Sequence, residues 1–348
     1  MDTSDEILSE RRGAAGLIAL NRPQALNALT LGMVRTMRRL LDEWAADPGV
    51  SRVVVTGAGE KAFCAGGDIR RLYDLGRAGH HAEAKAFWRE EYELNILIKR
   101  YPKAYVALID GIVMGGGVGV SLHGSHRVAG DRTVFAMPEV GIGFFPDVGA
   151  TYALPRLPGR TGRYLALTGE RLKAADAVAL GIANRMVASA DHPALRDALC
   201  DGEPVEDAIH ARAQATGPAP LDEHRAVIDS CFSAESVPAI LARLDQAGET
   251  SPFAAKTAAT IRAKSPTSLV IALEQMRRGE AMDFEEAMAL EFRIVSRILD
   301  GSDFYEGVRA TIIDKDGKPR WSPADLAGVT DDLIAPYFAP LGDAELLP

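Results

Sequence analysis

Cysteine is scarce: Cys64, Cys200 and Cys231 are the only three in 348 residues, and their scatter excludes a disulfide framework or a CxxC metal site. They read as thiols of a reducing compartment. No apolar run approaches membrane-spanning length, and the acidic start MDTSDEILSERRG has neither an apolar signal core nor the acid-poor character of a transit peptide. The expected location is the cytoplasm, with no membrane partner. Positive charge is also short, with 39 Lys and Arg against 48 Asp and Glu and a formal net charge of −9. That balance speaks against nucleic acid as a partner, so a phosphate-bearing ligand would need a local basic patch. The familiar nucleotide loops are missing too. GGGVGV has Val120 where the last glycine of GxGxxG should fall, and no GxxxxGK[ST] occurs. Gly119-Val120-Ser121-Leu122-His123 lacks the closing glycine of GxSxG, so no nucleophile-elbow serine is indicated. His123 and His126 read as structural.

What is present is the composition of an ordinary globular protein, 47% hydrophobic and 25% charged. The length predicts two domains, or one large domain with a smaller appendage. GLIALNRP reads as a short strand closed by Pro23, followed by a helix whose Met33, Val34, Met37, Leu40, Leu41 and Trp44 share one face. Arg52 to Val55 is a β-branched strand that ends in the glycine-bearing turn TGAGEKAFCAGGDIRRL. A helical stretch from Ala82 to Lys99 precedes the strand AYVALIDG. Gly115-Gly116-Gly117 then opens a helix through Leu122, and TVFAMPE is a further strand ending at Glu139. From about Asp201 the glycine turns stop and long helical segments take over. The expected fold class is α/β, with a ββα core over 1–200 and a helical C-terminal region over 201–348.

Two glycine turns, CAGGD and MGGGVG, each follow a strand, and the second leads into a helix whose first amides have no intrahelical partner. One amide from each could hold a carbonyl oxygen as it becomes negative, commonly the largest electrostatic contribution in acyl chemistry. Tight turning alone would also explain either turn.

NRPQALNALT, KAFCAGGDIR, ALIDGIVMGGGVG and FAMPEVGIGFFPDVGATYALPRLPG together resemble the crotonase, or enoyl-CoA hydratase/isomerase, superfamily. The resemblance implies a spiral of ββα units that binds coenzyme A. It places the thioester oxygen between the amides of Gly67 and Gly116 and the AFCAGGD turn against the adenine. Hydratases of the superfamily carry a glutamate two residues after the GGG run, where this chain has Gly119, and usually a glycine where it has Asp147. Asp147, the FWREEY motif at 87–92, SPTSL at 265–269 and DFYEGVRATIIDKDGKPRWSPADL at 303–326 resemble the 3-hydroxyisobutyryl-CoA hydrolase branch.

That resemblance implies an acyl-CoA thioesterase of valine breakdown that needs no metal or redox cofactor, coenzyme A being part of the substrate. Glu139 would be the catalytic carboxylate, either a general base on water or a nucleophile. Asp147 would bond the substrate 3-hydroxyl, Glu91 would line the pocket, and Gly116 and Gly67 would supply oxyanion amides. Plainer roles stand beside these. Glu139 at a strand end could be an exposed carboxylate, Asp147 could cap a helix, and Glu91 could face solvent. Cys64 reads as a small buried apolar residue rather than an acyl nucleophile. A hydratase or isomerase working through Glu139 alone, and a silent acyl-CoA-binding or RNA-associated module, are the rival functions. Homo-oligomerisation through the helical region stays open.

Overall fold

The computed structural model describes residues 6–346. It is an α/β protein that divides into two compact units. Among the described residues one comprises 6–68, 90–136 and 171–220, the other 69–89, 137–170 and 221–346. The chain therefore interleaves the two units rather than passing from one to the other at a single cut near residue 200. Helical excursions at 69–89 and 137–170 belong with the C-terminal helices, because a unit is defined by what its apolar faces pack on and not by order along the chain.

The first unit holds both sheets. Its seven-stranded sheet runs, in spatial order, Ile7–Arg12, Ala15–Leu20, Arg52–Gly57, Ala104–Ile109, His126–Ala129, Arg185–Val187 and Ala213–Gln214. The four central pairings, from Ala15–Leu20 across to Arg185–Val187, are parallel, with Leu17 opposite Val54 and Leu108 opposite Val128. A smaller sheet joins Ala62–Cys64, Ile112–Met114, Val134–Ala136 and Leu172–Lys173. Three times in succession a strand of the large sheet turns sharply into a strand of the small one: Arg52–Gly57 into Ala62–Cys64, Ala104–Ile109 into Ile112–Met114, and His126–Ala129 into Val134–Ala136. This is the expected ββα rhythm. Buried Val54, Val106, Leu108, Val128 and Val187 form a core with Leu195 and Leu199 of the helix His192–Cys200. The helix Leu31–Ala46 starts at Thr30, whose side chain accepts from the Met33 amide, and buries all six residues of its expected apolar face.

The second unit is helical. Val237–Gly248, Pro266–Gly279 and Phe284–Ile298 realise the long C-terminal patterns. Its aromatic core includes Trp88 stacked on Phe144 with ring centroids 5.7 Å apart and Phe304 within 5.8 Å of Phe144. This packing links FWREEY, FFPD and DFYEGV, three motifs far apart in sequence.

Two expectations shift locally. The helix after Gly115 spans only Gly116–Gly119. The strand expected to end at Glu139 stops at Ala136, and Glu139 opens a single 3-10 turn, Glu139–Ile142. No helix among the described residues is long and apolar enough to cross a membrane.

Candidate active site

In the first unit the NRPQALN segment braces the CAGGD turn. Asn27, fully buried, donates from Nδ2 to the carbonyls of Ala58 and Ala62, both at 2.9 Å. Arg22 donates from Nη2 to Asp68 Oδ2 at 3.0 Å and from Nη1 to Ala28 O at 2.6 Å. Leu29 pairs with Gly67 as an isolated bridge in which the Leu29 amide reaches Gly66 O and the Asp68 amide reaches Leu29 O. Within this lattice the amides of Gly67 and Gly116 donate no hydrogen bond among the described residues. A Cβ placed on Gly116 would lie 3.2 Å from the Gly67 nitrogen and 2.5 Å from Glu91 Oε1, so any side chain there would have to displace the Glu91 carboxylate. Gly67, Gly116 and Glu91, named separately from the sequence, thus come together. Unassigned amides at a helix start favour negative charge.

Glu91 is 2% exposed, whereas its neighbour Glu90 lies at the surface in a two-bond pair with Arg35. The solvent-facing reading therefore applies to Glu90 and not to Glu91. Cys64 is buried, and burial pushes its thiol up to about 12, which leaves it unfit as a nucleophile near neutral pH. His126 pairs with Glu206 at 2.9 Å, a structural contact.

In the second unit the turn bearing Glu139 is pressed against the helix Asp303–Val308. A Cβ on Gly143 would collide with the Asp303 carbonyl, and one on Gly307 with the backbone of Ile142. The Ser265 amide donates to Val140 O at 3.2 Å, and its hydroxyl reaches Asp303 Oδ2 at 2.6 Å. The SPTSL and DFYEGV signatures thus fix the turn. Glu139 is 7% exposed, and its Oε2 is buried with no hydrogen-bond partner. Burial first, and then the negative charge of Asp147, hold its carboxyl well above the ordinary carboxylate range.

Asp147 is 5% exposed and precedes Val148 and Gly149, both in the left-handed region at φ +53° and +89°. For a β-branched residue such as Val148 this conformation costs about 1–3 kcal/mol and persists only where the surroundings impose it. Glu291, fully buried on the helix Phe284–Ile298, imposes it by accepting from the amides of Gly149 at 2.8 Å and Thr151 at 2.9 Å. An aspartate capping at 147 would use the Gly149 and Ala150 amides. The first goes to Glu291 and the second to the Asp147 carbonyl, so Asp147 is not the side-chain cap of the short helix Ala150–Ala153. Burial, and then the charge of Asp147, push the Glu291 carboxyl up to about 8. Glu291 was not among the expected site residues. Its signal was an acid inside the apolar stripe of Phe284, Ala287, Met288, Ile294 and Val295.

A family model described as enoyl-CoA hydratase/isomerase matches residues 15–338. Curated relatives include the mitochondrial 3-hydroxyisobutyryl-CoA hydrolases of Xenopus tropicalis, 49% identical over 98% of this chain and 90% of that protein, and of Homo sapiens, 44% identical over 99% and 91%. Among solved structures, a carnitinyl-CoA dehydratase from Mycobacterium thermoresistibile superposes with a TM-score of 0.94 at 43% identity, covering 99% of this chain and 98% of its own. An enoyl-CoA hydratase from Rhodobacter sphaeroides superposes at 0.92 with 41% identity, covering 98% and 99%. The fold is therefore the crotonase-like one that the resemblance of the four sequence motifs implied. The cytoplasmic expectation is corrected, because the curated relatives are named as mitochondrial. Thiol count and charge constrain chemistry but do not address a protein to a compartment.

Proposed function

This chain belongs to the enoyl-CoA hydratase/isomerase family, and from that premise we propose that it is an acyl-CoA thioester hydrolase converting 3-hydroxyisobutyryl-CoA and water to 3-hydroxyisobutyrate and free coenzyme A. The observation that carries the reading is the buried Glu139 carboxylate, with one oxygen unpartnered and the charge of Asp147 acting on it. A carboxylate so placed is a stronger base than one in water, and a general base needs a pKa near working pH.

In the reaction the thioester oxygen becomes negative as its carbon turns tetrahedral, and the unassigned amides of Gly67 and Gly116 suit that charge. Glu139 either takes a proton from the attacking water or attacks the carbonyl itself to form an anhydride that water then opens. By either route the carbon–sulfur bond breaks, a water oxygen ends in the acid, and a water proton ends on the coenzyme A thiol. On this reading Asp147 bonds the 3-hydroxyl of the acyl group and Glu91 serves as an acyl-binding residue; Glu91 Oε1 itself lies against Gly116. A buried Asp147 facing a plain aliphatic acyl group would lose a partner, which costs about 1–3 kcal/mol and makes the hydroxyl a selection criterion. Valine breakdown is the pathway this substrate implies. Gly119 stands where a second catalytic glutamate would serve hydration, and this favours hydrolysis over the hydratase alternative.

Thiol release from 3-hydroxyisobutyryl-CoA tests the assignment. Glu139→Gln is expected to lower kcat at least about a hundredfold with little change in melting temperature. Wild-type turnover in that variant would remove Glu139 from the chemistry.

A further inference from the structure

Asp147 is followed by two left-handed residues, one of them valine, and the conformation is imposed by side chains distant in sequence. Glu291 takes the Gly149 and Thr151 amides at 2.8 and 2.9 Å. Gln275, fully buried on the helix Pro266–Gly279, donates from Nε2 to Thr151 Oγ1 at 2.6 Å and to the carbonyl of Pro146, the residue before Asp147. The loop is thus gripped on both sides of Asp147. Gln275 holds its entry, Glu291 its exit, and Thr151 joins the two. A backbone carbonyl, two backbone amides and a hydroxyl are engaged by buried partners, and such networks act as units whose parts are not additive.

We infer that Glu291 and Gln275 are positioning residues that set acyl-group specificity, holding Asp147 at the substrate hydroxyl and away from a helix-capping role; this rests on the reading of Asp147 given above. Without Glu291 the Gly149 and Thr151 amides lose their acceptor, and an aspartate two residues before Gly149 is the nearest replacement. Asp147 would then turn to the backbone and stop selecting for the hydroxyl. Displacement of a binding group by an ångström or less is enough to be read kinetically.

The test compares kcat/KM for 3-hydroxyisobutyryl-CoA and isobutyryl-CoA in wild type, Asp147→Asn, Glu291→Gln, the double variant and Thr151→Val. Glutamine keeps the shape of Glu291 but has only one acceptor oxygen for two amides. Glu291→Gln is expected to lower the preference for the hydroxylated substrate by about tenfold, roughly one buried hydrogen bond. In the Asp147→Asn background the same change should leave the preference where Asp147→Asn alone puts it. Thr151→Val, nearly isosteric and lacking only the hydroxyl that Gln275 reaches, should lower the preference in the same direction by less, and it decides the matter if Glu291→Gln does not fold. Equal losses on both substrates, or a Glu291→Gln effect undiminished without Asp147, would overturn the inference in favour of a general structural role. A preference unmoved by Asp147→Asn would instead overturn the reading of Asp147 itself, whereas one moved by Asp147→Asn and not by Glu291→Gln or Thr151→Val overturns only the role of the brace.

Discussion

On the proposed function Glu139 acts deprotonated whether it serves as base or nucleophile, so the factors that raise its pKa also set the acid limb of activity. Burial is the larger cause and Asp147 the next. Activity should therefore rise with pH along a limb whose midpoint lies above the usual carboxylate value of about 4.3. Asp147→Asn removes a negative neighbour, which makes Glu139 easier to ionise, so the limb should move to lower pH even as turnover falls. A pH profile of kcat/KM for both enzymes checks the sign, and a limb that stays in place would detach it from Glu139. Legibility at this scale was uneven. Gly67, Gly116, Glu139 and Asp147 stood in motifs whose residues could be matched one by one. Glu91 could not be told from Glu90 by spacing alone, because only the packing of the helix His81–Lys99 buries one and leaves the other half-buried. The acceptor of the Gly149 and Thr151 amides beside Asp147 is Glu291, 144 residues from Asp147, which no local pattern around 147 could reveal.

Among the elements, the helix Phe284–Ile298 has an outsized task, since it carries Glu291 to the Asp147 loop. It begins with a capping box in which Asp283 accepts from the Glu286 amide at 2.8 Å and Glu286 accepts from the Asp283 amide at 2.9 Å. Removing such a cap costs about 1 kcal/mol. Asp283→Ala is expected to lower the unfolding free energy by that amount in a denaturant titration, with an unchanged slope, and an unshifted midpoint would show that the box contributes nothing here. Apolar periodicity made this helix and Leu31–Ala46 readable, because burying one face requires that spacing. The edge strand Ile7–Arg12 escaped notice. It pairs on one side only and exposes most of its side chains, so no apolar alternation marks it. Short elements gave way to their surroundings, and the helix at Gly116 ended after four residues where the pattern ran on to Leu122.

Across the whole molecule, sequence composition separated the sheet-forming part from the helical part but could not show that they interleave, since 69–89 and 137–170 join the helical unit through packing against segments remote in sequence. The segment that carries Glu139 and Asp147 is held in the same way, by Ser265, Gln275, Glu291 and Asp303 from the C-terminal region, so on the proposed function those helices support the reacting groups. Overall similarity does not by itself choose the reaction, because curated relatives are named hydrolases while well-superposed structures are named as a hydratase and a dehydratase. Hydrolysis frees a thiol with every substrate consumed, whereas hydration and dehydration leave the thioester intact. The most direct measurement is therefore free thiol released per molecule of 3-hydroxyisobutyryl-CoA consumed by the purified full chain. Stoichiometric thiol together with 3-hydroxyisobutyrate is the predicted result; loss of substrate to an unsaturated thioester with no thiol released would contradict the account.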